Sequence, residues 1–156
     1  MMHRFILFFV VTVLIVGAFL SLKSEDMRTE KGRDITYETR VFKTEKGESI
    51  KAYVADTELK TTLGLGAFTA IAPDQGMLFI PPEPDFLGIW MEGMQFPIDI
   101  VWLNEAYGVL DLRENISPDT YPEIFYPATA AHYVLELPAG GVARYALAVG
   151  STFSLR

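Results

Sequence analysis

An almost unbroken apolar run, Phe5 to Leu22, most constrains what this chain can fold into. Thr12 and Ser21 are its only polar members and Gly17 its only glycine. Eighteen residues rising ~1.5 Å each make a helix of ~27 Å, close to the thickness of a bilayer core. A helix packed on a protein core carries a polar face, and this run has none. Arg4 supplies the short positive stretch that export signals carry. The run therefore reads as a transmembrane anchor or a signal peptide. Val16-Gly17-Ala18 suits a signal peptidase, whereas the Phe19-Leu20 that follows does not, which favours a retained anchor. Lys23, Arg28, Lys31 and Arg33 follow the run, and a strict count of basic residues would keep the body inside. The expectation is nevertheless an extracytoplasmic body, periplasmic or extracellular, or a secreted one if the signal is cleaved.

The organisation expected is residues 1–22 as anchor or signal, 23–34 as a charged tether without apolar periodicity, and 35–156 as a single β-rich domain. All but one of the 13 Lys and Arg, and all 20 Asp and Glu, follow Leu22, which leaves that part of the chain at −8. Duplex binding needs a basic stripe, so no nucleic-acid partner is expected. With no cysteine, disulfides, thiolate zinc sites, iron–sulfur clusters and a cysteine nucleophile are excluded.

Alternation begins at Ile35, Tyr37 and Thr39 and continues through Val41-Phe42. Lys46-Gly47 reads as a hairpin turn and Ile50 to Ala55 as its returning strand. Asp56 or Thr57 is a candidate N-cap for a helix whose weak stripe is Leu59, Thr62 and Leu63, ended by Gly64 and Gly66. Met77 to Ile80 is a short buried strand, Pro81-Pro82-Glu83-Pro84 a stiff connector, and Gly88 to Glu92 strand-like. The continuous apolar stretch Ile98 to Leu103 predicts a strand covered on both sides, returned through Asn104-Glu105-Ala106 by Tyr107 to Leu112. Residues 113–130 read as a long proline-rich loop, and long loops are often functional. Ala131 to Leu137 alternates, with His132, Val134 and Glu136 on one face. Val142, Tyr145, Ala146 and Val149 then fit one helical face, before a last strand at Thr152 to Leu155. The fold class expected is all-β with two short helices, a compact antiparallel barrel-like domain, with α+β as the alternative.

Several strings now read together: Ala55-Asp56-Thr57 with Gly64-Leu65-Gly66, Gly76-Met77-Leu78-Phe79-Ile80, Trp90-Met91, Pro97-Ile98-Asp99-Ile100, Tyr133-Val134-Leu135-Glu136-Leu137 with Gly140-Gly141, and Val149-Gly150. Their order and spacing resemble the Domain of Unknown Function 192 family over about residues 48–155. The resemblance implies a β-rich, barrel-like single domain, often behind a signal or anchor, and brings no reaction with it. Members usually read Phe-Trp-Met-Lys-Asn-Thr around the tryptophan. This chain reads Ile89-Trp90-Met91-Glu92-Gly93-Met94, which replaces a lysine by an acid, and Gly64-Leu65-Gly66 stands for a usual Gly-Leu-Met. An anionic ligand bound by that segment elsewhere in the family would not bind here in the same way.

Trp90, Met91, Glu92 and Met94 form the first candidate site, because aromatic and thioether groups make adaptable contact surfaces and a few polar groups orient a ligand. Asp99, inside an apolar strand, needs partners, with backbone amides of a neighbouring turn expected before a ligand. His132 and Glu136 lie four apart, ~13 Å along a strand, too far to share a metal. Glu136 is expected to accept from backbone amides or Arg144. Tyr121 and Tyr126 add loop aromatics that could be contacts, a lid or packing. No catalytic residue, cofactor or metal is assigned. Ser117, Ser151 and Ser154 sit in no nucleophile-elbow context, and Gly64-x-Gly66 fits no dinucleotide fingerprint. The leading reading is a membrane-held binding module for a small ligand or a protein partner. The alternatives are an envelope hydrolase using Glu92, Asp99, His132 or Glu136 as acid–base groups, and a structural subunit of an envelope assembly.

Overall fold

The computed structural model describes residues 35–156. The expected anchor and the whole of the expected tether lie outside the described residues. None of the described helices is long and apolar enough to cross a membrane.

Among the described residues, nine strands and two α-helices follow in chain order: β1 (Thr39–Thr44), β2 (Ser49–Ala55), α1 (Glu58–Leu63), β3 (Gln75–Phe79), β4 (Ile89–Trp90), β5 (Ile98–Leu103), β6 (Val109–Ile116), β7 (Ile124–Phe125), β8 (Tyr133–Pro138), α2 (Gly141–Tyr145) and β9 (Phe153–Leu155). Seven of the strands form one sheet in the order β6-β5-β8-β3-β2-β1-β9, and β4 pairs with β7 apart from it. The sheet curls into a half-barrel, and the start of β6 is tied to the segment just before β9. The Val109 amide donates to the Ser151 carbonyl at 2.8 Å, and the Gly150 amide returns to Val109 at 2.9 Å.

The expectation of a wholly antiparallel sheet is corrected at one pair. β2 and β3 run parallel, from Lys51 opposite Gln75 to Ala55 opposite Phe79. Parallel neighbours need a crossover rather than a tight turn, and the segment holding α1 supplies it. Three boundaries also differ. The first strand starts at Thr39 rather than Ile35, β6 continues to Ile116 and shortens the expected loop, and β4 has only two residues. The predicted helical face after Gly141 is cut short, because Ala146 adopts φ 50° and ends α2. Val142, Tyr145 and Leu147 are buried there, while Ala146 and Val149 are exposed.

β5 is buried at all six positions, as a strand covered on both faces must be. Alternation along the sheet divides the core in two. Leu78, Val101, Leu103, Leu135 and Leu137 pack inside the curl with Phe42 and Phe153. On the opposite face, Met77, Phe79, Ile100, Trp102 and Val134 pack beneath Leu65 and Met91. Glu136 lies on this second face, in register with Val134.

Candidate functional site

The second face is covered by α1, the 3-10 turn Gly64–Ala67 that follows it, and the segment from Pro81 to Pro97. Local chemistry sets each piece. Thr57 caps α1 by accepting the Lys60 amide at 3.4 Å. Gly64, at φ 50°, turns the chain sharply out of the helix. Gly66 brings the 3-10 turn onto the far wall, since a Cβ there would stand 3.2 Å from the Gly93 carbonyl oxygen. The indole N–H of Trp102 donates to the Leu87 carbonyl at 2.8 Å and pins that wall to the sheet.

Between these walls lie two cavities. One, of about 280 Å³, is lined by Leu65, Phe79, Trp90, Glu92, Met94 and Glu136 among others. The second, of about 490 Å³, continues past Phe79 and Ile89 to Asp85 and Phe86. Both are lined by Thr61, Thr62, Phe79, Gly88 and Ile89, so together they form one groove along α1.

Glu136 forms part of the floor. Only 4% of it is exposed, and its Oε2 has no hydrogen-bond partner. Burial pushes its pKa up from 4.5 to about 8, against the lesser pull of the Leu65 amide. It is therefore a neutral acid at pH 7, able to donate or to accept a hydrogen bond. Of the two partners expected for it, the Leu65 amide lies near enough to draw its pKa down and Arg144 does not act on it.

Trp90 stands at the rim, 48% exposed. The Tyr121 ring meets it edge-on at 6.1 Å, and the Tyr121 hydroxyl donates to Glu92 at 3.3 Å. Met94 lines the cavity. Met91 is buried and packs in the core beneath. Tyr126 is exposed and lies over Gly88, where a Cβ would come within 2.6 Å of its ring. The structure thus brings Trp90, Glu92, Met94 and Glu136 together, with Tyr121 beside them.

Two predicted residues stand elsewhere. Asp99 is fully buried, on the other face of β5, and accepts the amides of Asn115 and Val142, each at 2.8 Å. This is the amide pairing expected for it. His132 precedes β8 and lines neither cavity. The residues that sequence reasoning missed are Thr61, Thr62, Phe79 and Ile89. A faint signal existed: α1 carries only a weak apolar stripe and buries no residue, as suits the wall of a groove. No group of three or more His, Asp or Glu among the described residues is placed to hold a metal ion.

The fold has solved counterparts. A protein of Sinorhizobium meliloti 1021, provisionally described as a transcription regulator, is 25% identical over 79% of this chain and 98% of its own, with a TM-score of 0.72. A protein of unknown function from Novosphingobium aromaticivorans DSM 12444 is 23% identical over 76% of this chain and 84% of its own, with a TM-score of 0.68, a likeness of fold alone. No curated protein matches. The family model for DUF192, described as an uncharacterized ACR, matches residues 40–155, nearly the whole described body. The chain belongs to the DUF192 family.

Proposed function

We propose that this domain is a small-ligand-binding module, held at a membrane by residues 5–22 and displayed on its extracytoplasmic side, with the groove along α1 as its site. One observation carries the proposal: the unpartnered Oε2 of Glu136, buried in the floor of a cavity whose rim holds a half-exposed tryptophan. A buried polar group without a partner costs roughly 1–3 kcal/mol. Such a cost calls for a specific explanation, and a ligand that supplies the missing partner is one. Trp90 offers an apolar platform, and Thr61, Thr62 and Glu92 offer polar contacts around it, the pattern of a ligand pocket.

The test is thermal unfolding of the full chain in detergent micelles against divalent cations, a chelator, glycans, amines and short peptides. A ligand at a hundredfold excess over its Kd stabilises by ~2.7 kcal/mol. The expected shift disappears in Trp90→Ala. A shift retained in both Trp90→Ala and Glu136→Gln would place binding elsewhere and refute the site.

A hydrolase is the second reading. A carboxyl still protonated at pH 7, as burial leaves Glu136, has the state a general acid needs, and Glu92 is a second carboxyl in the same cavity. Turnover of a bound compound, lost in Glu136→Gln with binding kept, would establish it. The provisional regulator description of the Sinorhizobium protein is not carried over, since an acidic body disfavours duplex DNA.

A further inference from the structure

The groove has a charge pattern along its length. Glu92 and Glu136 line one end, and Glu58 and Asp85 line the other, with Asp56. The shared middle, Thr61, Thr62, Phe79, Gly88 and Ile89, holds no charge. No Lys, Arg or His lines either cavity among the described residues. Lys60, the one base on α1, is paired with Asp56 at 2.8 Å and stands 5.7 Å from the Tyr37 ring. An exposed aromatic ring marks each end, Trp90 at one and Phe86 at the other.

We propose that the groove takes an elongated organic dication, an aliphatic chain with an ammonium group at each end. This rests on the groove being a binding site, as argued above, and names its ligand class. One ammonium reaches the unpartnered Oε2 of Glu136 with Glu92 beside it, and the Trp90 face adds cation–π attraction. The methylene stem lies against Phe79 and Ile89. The second ammonium meets Glu58 and Asp85 next to Phe86. Anions are disfavoured by Glu58, Asp85 and Glu92, the lining acids left once Asp56 is paired with Lys60 and Glu136 holds its proton.

The ionisation of Glu136 gives the proposal its signature. Glu92 is the other titratable side chain in its cavity. The residues opposite Glu136 on β3 and β5 are Met77 and Ile100, neither of which titrates, and the 3-10 turn presents only the Leu65 amide. An arriving ammonium supplies the missing opposite charge, so Glu136 gives up its proton to solvent as the ligand binds. A neutral ligand accepting a hydrogen bond from Glu136 would need that proton kept, and would weaken as pH rises.

The experiment is titration calorimetry of the full chain in detergent micelles, with putrescine, cadaverine and hexane-1,6-diamine as probes. Pentylamine, pentane-1,5-diol and neutral oligosaccharides are the controls. Circular dichroism confirms the fold of each variant. A diamine is expected to bind at least about tenfold more tightly than the monoamine. Its affinity should rise up to about tenfold per pH unit below pH 8, with about one proton released at pH 7. Glu136→Gln should remove the pH dependence, and Glu58→Gln should weaken the diamine and leave the monoamine unchanged. Trp90-dependent binding of a diol or oligosaccharide instead, falling as pH rises, overturns the dication and leaves the binding site standing. Diamine binding that survives Glu136→Gln and Trp90→Ala overturns the dication as a groove ligand. Binding by none of the probes overturns the dication, and the groove itself is then judged by the thermal panel.

Discussion

Replacing Glu136 by glutamine removes a titration that the fold makes costly. The unfolded chain ionises this carboxyl near 4.5 and the folded chain at about 8. Between those values the native state holds a proton that the unfolded state has lost, so stability falls as pH rises. The loss is absent below pH 4.5 and complete above pH 8. At about 1.4 kcal/mol per pH unit, that interval is worth roughly 5 kcal/mol, a large part of the stability of a domain this size. Other shifted groups titrate outside the window. Asp56, paired with Lys60, is held below the usual carboxylate range. So is Asp111, where Arg113 and the amides of Ala128 and Leu112 outweigh burial. Burial raises Tyr37, Tyr133 and Tyr145 above 10. Thermal unfolding of the full chain in micelles, followed by near-ultraviolet circular dichroism from pH 5 to 9, should show the midpoint falling up to about pH 8 and levelling above it. Glu136→Gln should flatten the profile and exceed the parent above pH 8. A flat profile for the parent, or an undiminished slope in the variant, would refute the reasoning.

Asp99→Asn is expected to lose about 3 kcal/mol, because the amide nitrogen would face one of the two backbone donors, Asn115 or Val142; an unchanged unfolding midpoint would contradict this. Gly76→Ala should cost about 1–3 kcal/mol, since a Cβ there would stand 2.5 Å from the Glu136 carbonyl oxygen on β8, and denaturant unfolding checks it. Trp102→Phe frees the Leu87 carbonyl and should cost about 1–2 kcal/mol, with hydrogen exchange rising in the Pro81–Ile89 segment more than in β8.

Much of the strand content was legible because burial leaves a simple imprint. Ile98 to Leu103 is apolar at every position but one, and both of its faces are covered. The exception, Asp99, also followed from chemistry, since a buried carboxylate has to find donors. What failed was tertiary. Val142, Tyr145, Ala146 and Val149 have helical spacing, yet the chain turns left-handed at Ala146 and buries Leu147 instead. The parallel pairing of β2 with β3 leaves no local signal, because each strand alone reads the same in either direction. The site was half visible. Trp90, Glu92 and Met94 stand together in sequence, and Glu136 was a candidate on the alternating stretch Ala131 to Leu137. Thr61, Thr62 and Phe79 belong to elements whose meeting only the folded chain creates.

The pairing of β1 with β9, Phe42 opposite Leu155 through Thr44 opposite Phe153, bears on when this body can mature. The earliest strand finds its outer neighbour only once the latest has been made, so a chain emerging from the ribosome or threading through a translocation channel must wait with that flank open. An unpaired flank invites pairing with another molecule. Closing so long a loop adds little free energy, because the cost grows only logarithmically with length; the delay is therefore one of synthesis rather than of search. Removal of Phe153 to Arg156 would make the waiting state permanent, leaving a body that exposes β1 to its neighbours.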